Sequence, residues 1–174
     1  YLLVLGACSG SGRSPQNEIV SFSVGGHVIK GPLSNSLVGL DYNGDGIVDS
    51  STVRSGSDGS YSLTASNNTY TVVAVTDDTT VDMSSGTVLS GVTFKAPSGA
   101  SVVTPTTTLM EEGNLTSAQV VKVLGLPDGV DPLNFDPYAS DADPTAALAV
   151  EKTSHQIMSV VTAFASSVEG AGAG

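Results

Sequence analysis

The stretch Asp41-Tyr42-Asn43-Gly44-Asp45-Gly46-Ile47-Val48-Asp49 carries oxygen-bearing side chains at alternate positions around a glycine turn. That arrangement suits a hard cation. Calcium takes about six to eight oxygen ligands, and an EF-hand type of loop draws them from its first, third and fifth side chains, its seventh carbonyl and its ninth position. Those places are held here by Asp41, Asn43, Asp45, Ile47 and Asp49. Gly46 stands sixth, where the chain must turn sharply with no side chain in the way. The twelfth place, where a bidentate Glu usually closes such a loop, is Thr52. Without that carboxylate the site should bind weakly, on the order of 10⁻⁴ to 10⁻³ M, the range of extracellular modules.

A second acidic cluster, Asp77, Asp78 and Asp82, follows a strand-like run. It could hold another cation, and Asp77 or Asp78 could close the first site from across the fold. Solvated turn chemistry is the commoner use of such a loop. Asp131, Asp136, Asp141 and Asp143 lie in a proline-punctuated stretch, where Asp143 reads better as a helix cap than as a ligand. His27 and His155 belong to no HExxH pattern and read as structural or exposed. No GxSxG elbow, phosphate-binding loop or dinucleotide fingerprint occurs, so no catalytic activity is expected.

The chain has 174 residues and a formal net charge of −11, from 17 acidic against 6 basic residues. Cations, not nucleic acid, are its natural partners. With 40% hydrophobic and 13% charged residues it has the composition of a folded domain. Tyr1 to Ala7 read as the end of a secretory signal peptide. The portion Leu5-Gly6-Ala7-Cys8 resembles the lipobox of bacterial lipoproteins, which implies a lipid on Cys8 and attachment to a membrane through it. Residues 8–20 then form the lipidated cysteine and a flexible tether. Cys8 is the single cysteine, so no intrachain disulfide can form and a bound ion becomes a useful source of stability.

To position the loop, the sequence supplies β-structure first and helices afterwards. Short runs rich in Val, Thr, Tyr and Ser, broken by Gly, Asn and Asp, predict strands over 26–30, 36–41, 52–55, 60–65, 70–76, 87–89 and 92–96. About seven strands at this spacing predict an antiparallel sandwich over residues 21–103. Thr104-Pro105 predicts a helix start and Gly113 its stop, and Thr116 to Gln119 reads as a capping box ended by Gly125 and Pro127. Asp143-Pro144 opens a helix of about 25 residues, along which Ala147, Val150, Ile157, Val161, Phe164 and Val168 recur at helical spacing. That stripe is expected to pack on the sheet or the shorter helices. The whole is therefore α+β, with a helical subdomain of two to three helices over 104–169 and a Gly/Ala linker over 170–174, as if part of a longer protein.

The segments Gly31-Pro32-Leu33-Ser34, Leu40 to Gly46 and Ser57-Asp58-Gly59-Ser60-Tyr61-Ser62-Leu63 resemble a prealbumin-like β-sandwich module. Such modules include the calcium-binding B-type repeats of bacterial adhesins and carboxypeptidase-regulatory-like domains. Val102 to Leu109 and Leu133-Asn134-Phe135-Asp136-Pro137 resemble the helical portion that follows such a module in large secreted adhesins and lipoproteins. The resemblance implies a calcium-stabilised, non-catalytic adhesion or structural module at the bacterial surface, outer membrane or periplasm. Other surface proteins or glycans would be its partners. Two alternatives belong to other classes: an accessory or glycan-binding module of a secreted hydrolase, and a surface filament subunit. The absence of Trp and 5% aromatic content speak against a sugar-stacking platform.

Overall fold

The structure, a computed structural model, describes the backbone of residues 21–171 and the side chains of residues 21–163. Cys8, its leader and its tether lie outside the described residues. The fold is α+β. One sheet has the order β10-β1-β5, built from β1 (Phe22–Val28), β5 (Ser60–Ala65) and β10 (Val102–Val103). In it β1 runs antiparallel to β5 and parallel to β10. A second, fully antiparallel sheet has the order β4-β3-β6-β9, from β3 (Leu37–Asp41), β4 (Val53–Arg54), β6 (Thr71–Val75) and β9 (Thr93–Pro97). A small third sheet joins β2 (Leu33–Ser34), β7 (Val81–Asp82) and β8 (Thr87–Val88).

The two larger sheets share one core, because alternate side chains of each strand fall on the same face. Val24 and Val28 of β1, with Tyr61, Leu63 and Ala65 of β5, meet Val38 and Leu40 of β3, Val72 and Ala74 of β6, and Phe94 and Ala96 of β9. Along β5 the intervening Ser62 and Thr64 are exposed, as the alternation predicts. The first strand differs from its expected range, since β1 starts at Phe22 and carries Gly25 and Gly26 in its interior. These glycines serve close approach, not a turn: a Cβ on Gly26 would run into the Ser101 carbonyl, and one on Gly25 would lie 3.1 Å from the Tyr61 carbonyl oxygen. The two-residue strands β2, β7 and β10 carry too few residues to show a period.

The helices are α1 (Pro105–Gly113), α2 (Ser117–Leu124) and α3 (Pro144–Ala171). Thr104 and Thr116 cap α1 and α2 with reciprocal capping boxes. Gly113 is the last helical residue of α1, and Asn114 at φ 48° forms the left-handed cap expected one position earlier. Met110, Val120, Leu126, Val130 and Val150 make a second core that gathers all three helices. On α3 the apolar stripe packs only part of the way. Val150 is buried and Ile157 half-buried, but Val161 is 52% exposed. The side chains of Phe164 and Val168 lie outside the described residues. α3 also runs two residues past its expected end at 169, an ordinary variation in a helix terminus. Among the described residues no helix is long and apolar enough to cross a membrane.

Candidate metal centre

The Asp41–Asp49 loop leaves the sheet where β3 ends, with Asp41 opposite Thr71 at the start of β6. Gly44 at φ 79° and Gly46 at φ 83° provide the two left-handed positions that curl the chain. As a result the backbone wraps around its first carboxylate. Asp41 Oδ1 accepts the N–H groups of Asn43 at 3.0 Å and Gly44 at 2.8 Å, and Oδ2 accepts that of Gly46 at 2.8 Å. The pattern repeats along the loop: Asn43 Oδ1 accepts from Asp45 N and Asp45 Oδ1 from Ile47 N, each at 2.8 Å. The loop closes at its base, where Leu40 O accepts from Asp49 N at 2.8 Å and Asp49 Oδ2 accepts from Tyr42 N at 2.8 Å. Asp41 is only 3% exposed, whereas Asn43, Asp45, Ile47 and Asp49 face solvent.

Burial raises the Asp41 carboxyl, but the Gly44, Gly46 and Asn43 N–H groups and the Lys95 charge outweigh it and hold the group below the usual carboxylate range. The loop thus keeps an ionised carboxylate at its centre. In donor chemistry the five positions suit calcium, since all are oxygens; Asp41 Oδ2, Asp45 Oδ1 and Asp49 Oδ2 each accept one N–H and keep a second lone pair, whereas Asp41 Oδ1 already accepts two. In placement they are not gathered. Among the described residues no three His, Cys, Asp or Glu side chains stand close enough to hold a metal. To reach a common ion, Asp45 and Asp49 would have to turn inward, away from the Ile47 and Tyr42 N–H groups that they now accept from. Thr52 brings no carboxylate to close the site, and its methyl lies 3.1 Å from where a Cβ on Gly39 would stand, with Val48 covering the same glycine.

Beside the loop lies a cleft of about 170 Å³, lined by Asp41, Gly44, Thr71, Lys95, Glu111 and Glu112. Two carboxylates of α1 enter it. Glu112 Oε1 pairs with Lys95 Nζ at 2.7 Å, and Glu111 Oε2 accepts from the Thr71 hydroxyl at 3.0 Å. Neither the glutamates nor Lys95 carry a spacing signal, because they come from a strand and a helix far from the loop in sequence.

Asp77, Asp78 and Asp82 do not converge. Asp77 pairs with Arg54 Nη1 at 2.6 Å and accepts from Thr79, Asp78 accepts from the Ser90 hydroxyl, and Asp82 pairs with Lys30 Nζ at 2.7 Å. Hydrogen bonds from Thr79 and the Arg54 guanidinium bring Asp77 down to about 2. Nor do these residues reach the loop. β6 pairs Thr71 with Asp41 but Val75 with Leu37, so Asp77 and Asp78 follow the end of the strand opposite to the loop, some four residues or about 13 Å along the sheet. In the later stretch, Asp143 Oδ1 caps α3 by accepting from Ala146 N at 2.8 Å. Asp131 and Asp136 accept from Leu133 N and Tyr138 N in local turns, and His27 Nδ1 lies 3.7 Å from Asp136 Oδ2.

Comparison with known proteins gives no match to a family model, to a curated protein or to a solved structure.

Proposed function

We propose that this chain is a calcium-stabilised, non-catalytic structural or adhesion module of an exported bacterial lipoprotein, built on a prealbumin-like sandwich. The observation that carries the reading is the closure of Asp41–Asp49 around a covered, ionised carboxylate, with three further oxygen side chains on its rim. A loop at the end of β3, packed through Val48 onto Gly39, is placed to stiffen the sandwich. Calcium bound only by the folded form would stabilise it by about 2 kcal/mol at roughly thirty times Kd.

Calorimetric titration with calcium and thermal melts with and without chelator test this. Millimolar calcium should give a measurable binding heat and raise Tm, and chelator should reverse the rise. In the Asp45→Ala variant both effects should be lost while the melt in chelator matches the parent. A parent whose Tm ignores calcium would make the loop a hydrogen-bonded turn and nothing more.

A further inference from the structure

β5 stands at the edge of its sheet, and the bonds of β1 show which of its backbone groups face outward. His27 N and Ile29 N donate to Ser101 O and Val103 O on the β10 side, whereas Val28 N donates to Gly59 O on the β5 side. Antiparallel partners exchange their bonds at every second pair, so Gly26 bonds Tyr61 and Val24 bonds Leu63. The N–H and carbonyl groups of Ser60, Ser62 and Thr64 therefore point away from β1. Ser60 is served locally, its N–H by Asp58 Oδ1 at 3.0 Å and its carbonyl by Gly56 N at 2.8 Å. Past the strand, Ser66 N donates to the Tyr42 hydroxyl at 3.0 Å. Between these points the outward N–H and carbonyl groups of Ser62 and Thr64 meet no partner among the described residues. A cleft of about 290 Å³ opens alongside, between residues 64–66 and 49–51. The other sheet edges are guarded. β2, β4, β8 and β10 have two residues each, and β9, the one other long edge among the described residues, ends in Pro97 and has Lys95 bonded by Thr107 and Thr108. β5 carries neither charge nor proline, the usual guards of a free edge.

We propose that this edge pairs with the same edge of a second copy of the chain, antiparallel, about a two-fold axis at Leu63. In that register Ser62 of each copy lies opposite Thr64 of the other and the two exchange both backbone bonds, so every open group finds a partner. Leu63 stands opposite its own counterpart at the closer, non-hydrogen-bonded position, and the exposed Ser62 and Thr64 side chains pair through their hydroxyls on the outer face. The open groups sit symmetrically about Leu63 and are closed off on both sides, which is the pattern a two-fold copy of the same strand completes. The pairing consumes the edge, so assembly stops at a dimer. A ladder this short makes the dimer weak, with Kd on the order of 10⁻⁴ M. The inference is independent of any ion at the Asp41–Asp49 loop.

Sedimentation equilibrium of the full chain, from about 10 μM to about 1 mM, tests this with the parent, T64P and V161S. The parent should pass from monomer to dimer, and sodium chloride should tighten the dimer because each copy carries a formal net charge of −11. Thr64→Pro removes an outward N–H that bonds nothing among the described residues of its own chain, a change that an edge strand accepts. It should keep the parent's far-ultraviolet spectrum and weaken association about tenfold or more, since each copy loses one donor of the ladder. V161S trims an exposed apolar residue of α3 and should associate like the parent. If T64P fails to fold, S62K and T64E carry the test. The two-fold register sets their introduced charges opposite each other, so a mixture should associate about two- to fivefold more tightly than either variant alone. A parent that stays monomeric at the highest concentration overturns the inference, as does a mixture no tighter than its components. A dimer that V161S disrupts and T64P spares overturns it too, because its interface then lies on α3.

Discussion

At the scale of the residue, the Lys30–Asp82 pair shows how a carboxylate can be claimed by structure instead of by a metal. Asp82 is 1% exposed and accepts from Lys30 Nζ at 2.7 Å and from the N–H and hydroxyl of Ser84 at 2.9 and 2.6 Å. Burial raises its carboxyl, but Lys30 and Ser84 prevail and bring it to about 2. Its value in the unfolded chain is close to 3.9, so the folded state binds fewer protons, and the stability it contributes is complete above about pH 4. That contribution, on the order of 2 kcal/mol, fades as pH falls from about 4 through about 2. Lys30→Met leaves the buried carboxylate unpaired and should cost about 3 kcal/mol near neutral pH. Urea unfolding at several pH values should then show the gap between parent and K30M narrowing below pH 4. A constant gap would mean that the ion pair is not its source. None of this was legible in the sequence, where Lys30 and Asp82 stand 52 residues apart and Asp82 looked like one of three equivalent loop acids. The turn over Asp41–Asp49 was legible because the hydrogen bonds that fold it lie within the ten residues from Leu40 to Asp49.

Elements divide along the same line between local and distant causes. The cap of α1 was readable, since Thr104-Pro105 is a local signal that the structure realises with Thr104 as N-cap. The second task of Thr107 was not. Its hydroxyl accepts from Thr104 N at 2.8 Å and donates to Lys95 O at 2.7 Å, while Thr108 accepts from Lys95 N. Two threonines of a helix thereby satisfy the N–H and carbonyl of Lys95 on the open edge of β9, where another chain's strand could otherwise pair. Thr107→Val keeps the shape but removes half of the capping box and leaves the part-buried Lys95 carbonyl only the longer bond from the Thr108 hydroxyl at 3.4 Å. It should cost about 1 to 2 kcal/mol, from a lost cap contact and a weakened part-buried hydrogen bond. Denaturant unfolding measures this directly, and a loss under about 0.5 kcal/mol would show that water replaces the hydroxyl there. The apolar stripe of α3 teaches the converse: helical periodicity reports a helix, but the exposure of Val161 shows that it does not report what packs on it.

For the molecule as a whole, the question is whether sandwich and helices melt as one. The sequence divides at residue 103, where strand grammar gives way to helix grammar, and each part has its own core. Leu133 joins them, for its side chain packs against both clusters and its carbonyl accepts from Ser101 N at 2.8 Å and Val102 N at 3.3 Å beside β10. Thr107, Thr108 and Glu112 of α1 add ties to β9, and Glu111 adds one to Thr71 of β6. An interface carrying both apolar packing and part-buried hydrogen bonds couples the two parts, so the chain should unfold in one transition with coincident far-ultraviolet and tyrosine signals. Leu133→Ala should lower stability by about 2 kcal/mol, as for a partly collapsible truncation, without dividing the transition. If the loop binds calcium, the ion should raise the Tm of that variant by as much as it raises the parent's, because the backbone hydrogen bonds of Leu133 go to Ser101, Val102 and Asp131, outside the Asp41–Asp49 loop, and effects at separate sites add. Two separate transitions, with only one responding to calcium, would instead make the sandwich and the helices independent folding units.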